Sequence, residues 1–310
     1  MKTTRINGKF KRMFLGAWRQ KAKTHRCPNE PNLNGKIVAI TGGNRGIGLE
    51  TVKGLLNRGA EVIVLSRNKE KTEQENRALN GEVYAVKLDL GDISTINTAV
   101  EAVRKILKGR KIDVLINNAG IAVTGSCQLS PQGYELTFAV NVLGHHVLFQ
   151  QLHTQSLLAS NAQIISVTGD IYIQADDCTP NYSYDGKSGI KAYSRSKVGM
   201  MWWAYELHRL FPNYKMNLVH PGIVPSGLGN DENSFFVRAF GRLFITAEMG
   251  AQMTLICATQ SNIENGAYYH NTLGKVLIPK NDIALNVDLS KQFWLTLEKI
   301  YDLEFKIAQI

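Results

Sequence analysis

Long apolar runs are missing from this 310-residue chain: no stretch of about 18 or more apolar residues occurs, so a membrane-spanning helix is not expected. Cysteine is scarce as well. Cys27, Cys127, Cys178 and Cys257 lie far apart, without CxxC spacing and without a signal-peptide hydrophobic region. That argues against a disulfide framework or a structural zinc, and for a reducing compartment. The seven histidines show no ligand spacing either. His145 and His146 fall inside an apolar helical run, where packing or capping is the ordinary role, and no metal is expected. Internal repeats and low-complexity linkers are absent from residues 34–310, so one large domain is expected there.

Acidic residues are missing from one place in particular. Residues 1–26 carry nine Lys or Arg and no Asp or Glu, and subtracting those nine from 36 leaves 27 basic against 26 acidic residues elsewhere. The net charge of +10 therefore belongs to an N-terminal extension, residues 1–33, and no nucleic-acid partner is implied. Within it Phe10, Met13, Phe14, Ala17 and Trp18 recur at i, i+3, i+4, i+7 and i+8, one face of a helix with lysine and arginine around it. Three readings stay open for residues 9–26: packing against the domain or a second subunit of a homo-oligomer, contact with an anionic membrane surface, or mitochondrial targeting. Targeting ranks last, because Lys outnumbers Arg and no Ser precedes Ser66. A cytoplasmic location, with or without peripheral membrane contact, is expected.

What the chain does have is alternation. β-rich runs at Ile37–Ile40, Glu61–Ser66, Val83–Leu88, Val114–Asn117, Ile164–Thr168, Met216–His220 and a weaker Ala267–Tyr269 alternate with helix-like stretches near 47–58, 92–107, 134–152, 192–211 and 247–260. Short, nearly continuous apolar strands between helices imply right-handed crossovers and an α/β fold, a single doubly wound parallel sheet with helices on both faces. Ligands in such sheets bind beyond the carboxyl ends of the strands.

The first strand runs into Thr41-Gly42-Gly43-Asn44-Arg45-Gly46-Ile47-Gly48 and a helical stretch. Gly42 suits the tight bend, Gly46 removes bulk where a pyrophosphate approaches backbone N–H groups, and Gly48 lets helix and strand pack closely. A glycine triplet alone is weak, since turns collect glycine for many reasons; the flanks make this one a phosphate cradle. The second strand ends in Ser66-Arg67, about 20 residues beyond the turn, where an acid would hold the 2′-hydroxyl of an NAD ribose. Ser66 leaves room for a 2′-phosphate that Arg67 and Arg45 can pair, which favours NADP(H); two arginines exposed without a ligand is the blander alternative. Asp89-Leu90 closes the third strand, with Asp89 able to accept from an adenine amino group, and Asn117-Asn118-Ala119-Gly120 closes the fourth with small residues. Each alone reads as a turn or cap. At successive strand ends they read as one site.

Tyr193 and Lys197 open the helix after the fifth strand at i, i+4 spacing, on one helical face. A nearby ammonium stabilises phenolate and lowers a phenol pKa from about 10 toward the working range, which equips the pair for acid–base work. Out of context Tyr-x-x-x-Lys is common on surface helices.

In combination these motifs resemble the classical short-chain dehydrogenases/reductases, in detail their retinol-dehydrogenase-like branch. The resemblance spans residues 34 to about 300 and also rests on Asn141-Val-Leu-Gly144-His145, His220-Pro221-Gly222, Gly250-Ala251-Gln252, Gly266-Ala267-Tyr268-Tyr269 and the Phe293-Trp294 helix. It implies a Rossmann-type NADP-binding domain over residues 34–310, with Gly42, Asn44, Arg45, Gly46, Ile47, Gly48, Ser66, Arg67, Asp89, Leu90, Asn118, Ala119, Gly120, Tyr193 and Lys197 at the cofactor. Tyr193 would be the general acid in carbonyl reduction and the base in the reverse direction. Lys197 would lower its pKa and bind the nicotinamide ribose, and Asn141 would fix a water that extends the proton relay. Pro221, Gly222 and Val224 would line the nicotinamide, and Ser226 stands where the family often has Thr. Membrane-anchored members of the branch carry an N-terminal hydrophobic anchor where this chain has a basic amphipathic segment.

One departure matters. Where the family places a serine that binds the substrate oxygen, this chain reads Ser166-Val167-Thr168-Gly169-Asp170, and the register puts Gly169 or, preferably, Asp170 at that position. An ionised Asp170 would repel a developing oxyanion, a protonated one could donate to it, and Thr168 or Ser166 could substitute; a loop-tying role for Asp170 weighs equally. The expected function is NADP(H)-dependent interconversion of an alcohol and a ketone or aldehyde on an apolar small molecule, with Leu228, Phe235, Phe236, Val237 and Phe240 as a candidate lid. A non-catalytic NADP-binding scaffold is the alternative.

Overall fold

The computed structural model describes residues 3–6, 8–123, 125–184, 189–225 and 244–306. The first half runs β1 (Thr3–Arg5), α1 (Lys9–Lys23), β2 (Ile37–Thr41), α2 (Gly46–Leu56), β3 (Glu61–Ser66), α3 (Lys69–Asn76), β4 (Val83–Lys87), α4 (Ile96–Leu107) and β5 (Ile112–Asn117). It continues through α5 (Leu136–Phe138), a π-helical turn (Ala139–Leu143), α6 (Gly144–Thr154), β6 (Leu158–Val167), a 3₁₀ turn (Asp170–Gln174), α7 (Gly189–Leu210) and β7 (Lys215–His220). After α8 (Ala247–Thr259) come β8 (Ala267–His270), β9 (Gly274–Leu277) and α9 (Val287–Tyr301). The candidate lid residues and Ser226 lie outside the described residues.

All the strands join one sheet in the order β1-β9-β8-β7-β6-β5-β2-β3-β4, parallel throughout except for the antiparallel β8–β9 pair. The order reverses between β2 and β5, and that switch point opens the crevice where such sheets bind ligands. Period two divides β2 cleanly: Ile37 and Ala39 enter one core, and Val38 and Ile40 the other. α4, α6, α7 and α9 cover the first face through residues such as Val100, Leu148, Trp203 and Trp294, and α2 and α8 cover the second through Leu55 and Met253. Burial on both faces is why these strands read as continuous apolar runs. His145 and His146 are fully buried; His145 bonds Thr41 Oγ1 at 3.0 Å, and His146 Nδ1 accepts from Trp203 Nε1 at 3.2 Å.

The N-terminal extension is built into this layered structure. Thr3–Arg5 pairs in parallel with Lys275–Leu277 as a sheet edge. α1 follows because its residues are mostly strong helix formers, and Lys21 and Lys23 complement the dipole in its last turn. Its docking follows the expectation from spacing only at Met13 and Ala17, which turn to the domain. Phe10, Phe14 and Trp18 remain 59%, 63% and 68% exposed, while Arg12, Gly16 and Gln20, an i, i+4, i+8 line, are buried against the domain. Specific polar partners draw this line inward.

Candidate active site

Beyond the carboxyl ends of β2, β3, β5, β6 and β7 lies a cleft of about 580 Å³. At one end is the glycine turn. Gly42 and Gly46 hold φ of +66° and +53°, a region that favours glycine. A Cβ at Gly48 would collide with the Gly42 carbonyl oxygen, whereas one at Gly46 would meet nothing within 4 Å. The turn is closed behind and open toward the cleft. α2 begins at Arg45 without a side-chain cap, so its first N–H groups face an open turn suited to phosphate. Asn118 braces this shape: its Nδ2 donates to the carbonyls of Thr41 (2.9 Å) and Gly42 (3.2 Å), while Thr41 Oγ1 accepts from the N–H groups of Asn118 and Ala119, each at 3.0 Å. Asn118 lines the cleft with its amide already engaged in structure.

At the tip of β3 the cleft is lined by Arg45, Ser66, Arg67, Asn68 and Lys71. Among the described residues none of the three cations forms an ion pair, and all are exposed. Ser66 is buried with its hydroxyl bonded to Thr72 Oγ1 at 2.5 Å, so it leaves space without presenting a free donor. A phosphate-bearing adenosine fits this unpaired positive rim. Lys71 was missed in the sequence because α3 is uniformly polar and gives no periodic signal; Asn68 shows itself only as the N-cap that accepts from Lys71 N. Asp89 and Leu90 line the same end, with Asp89 Oδ1 accepting from Gly91 N at 2.9 Å.

The middle of the cleft holds Tyr193, Lys197, Ile121 and Gly120, with Pro221, Gly222 and Val224 opposite. Lys197 Nζ stands 5.2 Å from the Tyr193 ring centroid and donates to the Val167 carbonyl at 3.2 Å. Asn141 sits in the π-helical turn, a local widening common at functional sites. Its Oδ1 accepts from Ile121 N at 2.8 Å and its Nδ2 donates to the Ile121 carbonyl and to Ser196 Oγ, both at 2.9 Å. Asn141 thereby ties the loop after β5 to α7. A Cβ on Gly120 would come within 3.3 Å of Asn141 Oδ1 and 3.7 Å of Lys197 Nζ, so both groups converge on one glycine.

The electrostatics differ from the sequence expectation. Burial pushes the Tyr193 phenol up to about 12 and pulls the Lys197 ammonium down to about 8. Desolvation outweighs any attraction of Lys197 for phenolate. The phenol therefore holds its proton across neutral pH, the state a general acid needs.

Past Tyr193 lies the departure at the end of β6. Thr168 Oγ1 donates to the Lys197 carbonyl at 3.0 Å, and Ser166 Oγ accepts from Asn117. Asp170 is 2% exposed; its Oδ1 accepts from Tyr268 OH at 2.6 Å and lies 3.5 Å from Arg12 Nε. Burial pushes its pKa up, but His220, His270, Arg12 and Tyr268 together hold it below the ordinary carboxylate range. Because burial drives His270 down to about 3, Arg12 is the cation of the cluster. Asp170 is thus held on the ionised side and joined to α1 and β8 through Arg12 and Tyr268, rather than to the loop that follows it. Gly169 lines the cleft beside Asp170, and a Cβ there would stand 3.6 Å from His220 Nδ1.

Asp170, His220 and His270 have ligand-type atoms within 4.8 Å of one another, in number and kind suited to a divalent cation. Their protonation suits it poorly. His270 Nδ1 accepts from Thr272 N at 3.0 Å, which leaves the proton on Nε2 facing Asp170, and the Arg12 guanidinium already supplies the positive charge. Arg12 Nη2 also donates to Tyr172 OH at 2.6 Å.

The model of the short chain dehydrogenase family matches residues 36–235. Mouse retinol dehydrogenase 13 is 30% identical over 293 residues, covering 86% of this chain and 84% of that protein. Human retinol dehydrogenase 14 is 30% identical over 318 residues, covering 91% and 90%. Among solved structures, an uncharacterised protein from Mycobacterium paratuberculosis superposes with a TM-score of 0.70 at 26% identity, over 88% of this chain and 95% of that one.

Proposed function

The chain belongs to the short-chain dehydrogenase family and is thereby an oxidoreductase of alcohol and carbonyl groups with a nicotinamide cofactor; from that premise we propose that it reduces an apolar ketone or aldehyde with NADPH. The observation that carries this reading is the Tyr193–Lys197 pair, 5.2 Å from ring centroid to ammonium, in the same cleft as the glycine turn. A bound dihydronicotinamide supplies the hydride. Tyr193 donates its proton to the carbonyl oxygen, and its raised pKa supports a phenol that carries that proton near neutrality. Lys197, buried beside it, stabilises the phenolate left behind, and Asn141 keeps the Ile121 loop and α7 in register so that a water can return the proton. Arg45, Arg67 and Lys71 support NADP(H) over NAD(H). Apolar lining by Met13, Ile121, Val167, Ile171 and Ile223 supports an apolar substrate.

The test is consumption of NADPH with aromatic, steroid, retinoid and aliphatic carbonyls, with Tyr193→Phe as control. Tight NADPH binding without reduction of any carbonyl above that control would leave the scaffold reading standing and the enzyme reading lost.

We further infer a peripheral contact with an anionic bilayer through the outer face of α1. Phe14 and Trp18, stacked with centroids 6.0 Å apart, are exposed beside Lys11, Arg19, Lys21 and Lys23. Among the described residues no helix is long and apolar enough to cross a membrane. Flotation with phosphatidylserine vesicles, diminished in Phe14→Ser/Trp18→Ser and absent with phosphatidylcholine alone, supports the contact; flotation indifferent to both changes excludes it.

A further inference from the structure

α1 presents two rows to the protein. Arg12, Gly16 and Gln20 form the buried row, and Met13 and Ala17, one residue further round, line the cleft that holds Tyr193. The buried row is fixed at three points. Arg12 reaches the 3₁₀ turn after β6, 3.5 Å from Asp170 Oδ1 and 2.6 Å from Tyr172 OH, with its guanidinium 5.4 and 5.8 Å from the Tyr172 and Tyr268 ring centroids. Gly16 lets the helix approach β8: a Cβ there would stand 2.5 Å from His270 Nε2. Gln20 pairs with the backbone of Ile223, its Oε1 accepting from the N–H at 2.8 Å and its Nε2 donating to the carbonyl at 3.4 Å. The two loops so clamped, after β6 and after β7, flank the catalytic tyrosine.

We propose that the N-terminal helix is a wall of the substrate site: Met13 and Ala17 are specificity-determining residues that set the size of the carbonyl substituent admitted, and Arg12 and Gln20 are positioning residues that hold them there. This deepens the oxidoreductase reading and rests on it for the word substrate, although the wall itself can be tested by binding. The missing serine fits the same picture. Asp170 serves the helix, and a charged carboxylate kept in that latch is withheld from the reacting oxygen. The chemical class expected against Met13, Ala17 and Ile171, which line the same cleft, is an alkyl or aryl ketone, because the two helix residues offer a thioether and a methyl group and no donor.

The experiment titrates acetophenone, propiophenone and butyrophenone into the NADPH-loaded full-length protein, following bound-NADPH fluorescence for Kd and absorbance for turnover. Ala17→Leu is expected to weaken butyrophenone relative to acetophenone by about tenfold or more, and Met13→Ala to shift that ratio the other way, with the Kd for NADPH changed less than twofold. Arg12→Ala is expected to flatten discrimination among the three ketones and raise KM more than it lowers kcat, with Arg12→Lys recovering part of the ratio. Should the ratios stay fixed in Ala17→Leu and Met13→Ala while NADPH still binds, or should no ketone bind the wild type, the wall is overturned. Ketones that bind with variant-dependent ratios but are never reduced keep the wall and sink the oxidoreductase reading. If Arg12→Ala fails to fold, the Ala17 and Met13 ratios decide alone.

Discussion

The two ends of the cleft are built by different means. At the phosphate end the wall is backbone: a turn in a few consecutive residues, two positive-φ glycines, the bare N-terminus of α2 and a rim of exposed cations. At the Tyr193 end the wall is side chains gathered from α1, the 3₁₀ turn after β6, α7 and β7, with the buried Arg12–Asp170 pair and Tyr268 behind it. The first kind of wall recognises a shape common to many ligands, since backbone N–H groups donate to any phosphate. The second can be altered residue by residue without disturbing the first. A family that keeps a nicotinamide cofactor and changes substrates needs this division of labour.

The strongest test of the division is Tyr193→Phe, which should lower kcat by about 10²- to 10⁴-fold through loss of the proton donor while the Kd for NADPH moves less than about twofold; a matching loss of NADPH affinity would show that the ends are coupled. Gly48→Val should act in the opposite sense. Overpacking costs about 1–3 kcal/mol, so NADPH and NADH should both weaken by about 5- to 150-fold in a fluorescence titration. Retained affinity for both would mean that the turn adapts. Arg67→Ala, and separately Lys71→Ala, should weaken NADPH by about tenfold, near 1.4 kcal/mol for an exposed charge, and leave NADH within about twofold. Equal losses for both cofactors would remove these cations from the 2′-phosphate. The smallest effect belongs to pH. Asp170 is held below the ordinary carboxylate range, so its contribution to docking of α1 is complete above about 4 and fades as pH falls through the lower folded value. Trp18 fluorescence and hydrogen exchange of α1 should stay constant across neutrality and change only in acid; a transition near pH 6–7, the range in which histidine ordinarily titrates, would assign the latch to His220 or His270.

The phosphate end was legible from sequence because its information is local. Gly42, Gly46 and Gly48 announce a turn by spacing, and the strand ends at Ser66, Asp89 and Asn118 fall where a doubly wound sheet must deliver them. Tyr193 and Lys197 were legible for the same reason, one helical turn apart. Met13, Ala17 and His220 were not singled out as lining this cleft, because nothing in the neighbourhood of Arg12 says that Asp170, Tyr172 and Tyr268 will surround it. Spacing on α1 highlights Phe10, Met13, Phe14, Ala17 and Trp18 as one inward face; Met13 and Ala17 do line the cleft, while Phe10, Phe14 and Trp18 remain exposed. Here a guanidinium with buried polar partners sits inside, while three aromatic rings of the same helix stay at the surface. The raised Tyr193 pKa is not legible for a related reason: neighbours can be inferred from sequence, whereas desolvation depends on how far the fold closes over them.

The pairing of Thr3–Arg5 with Lys275–Leu277 sets an order of assembly. β1 finds its neighbour only once β9 has been made, and Arg12 meets Tyr268 only once β8 has. Joining segments that far apart carries the loop-closure entropy of nearly the whole chain, so the edge strand and its helix are expected to dock late, onto a sheet already formed. During synthesis the molecule thus has an interval in which its phosphate cradle is complete and its basic N-terminal segment is still free in solvent.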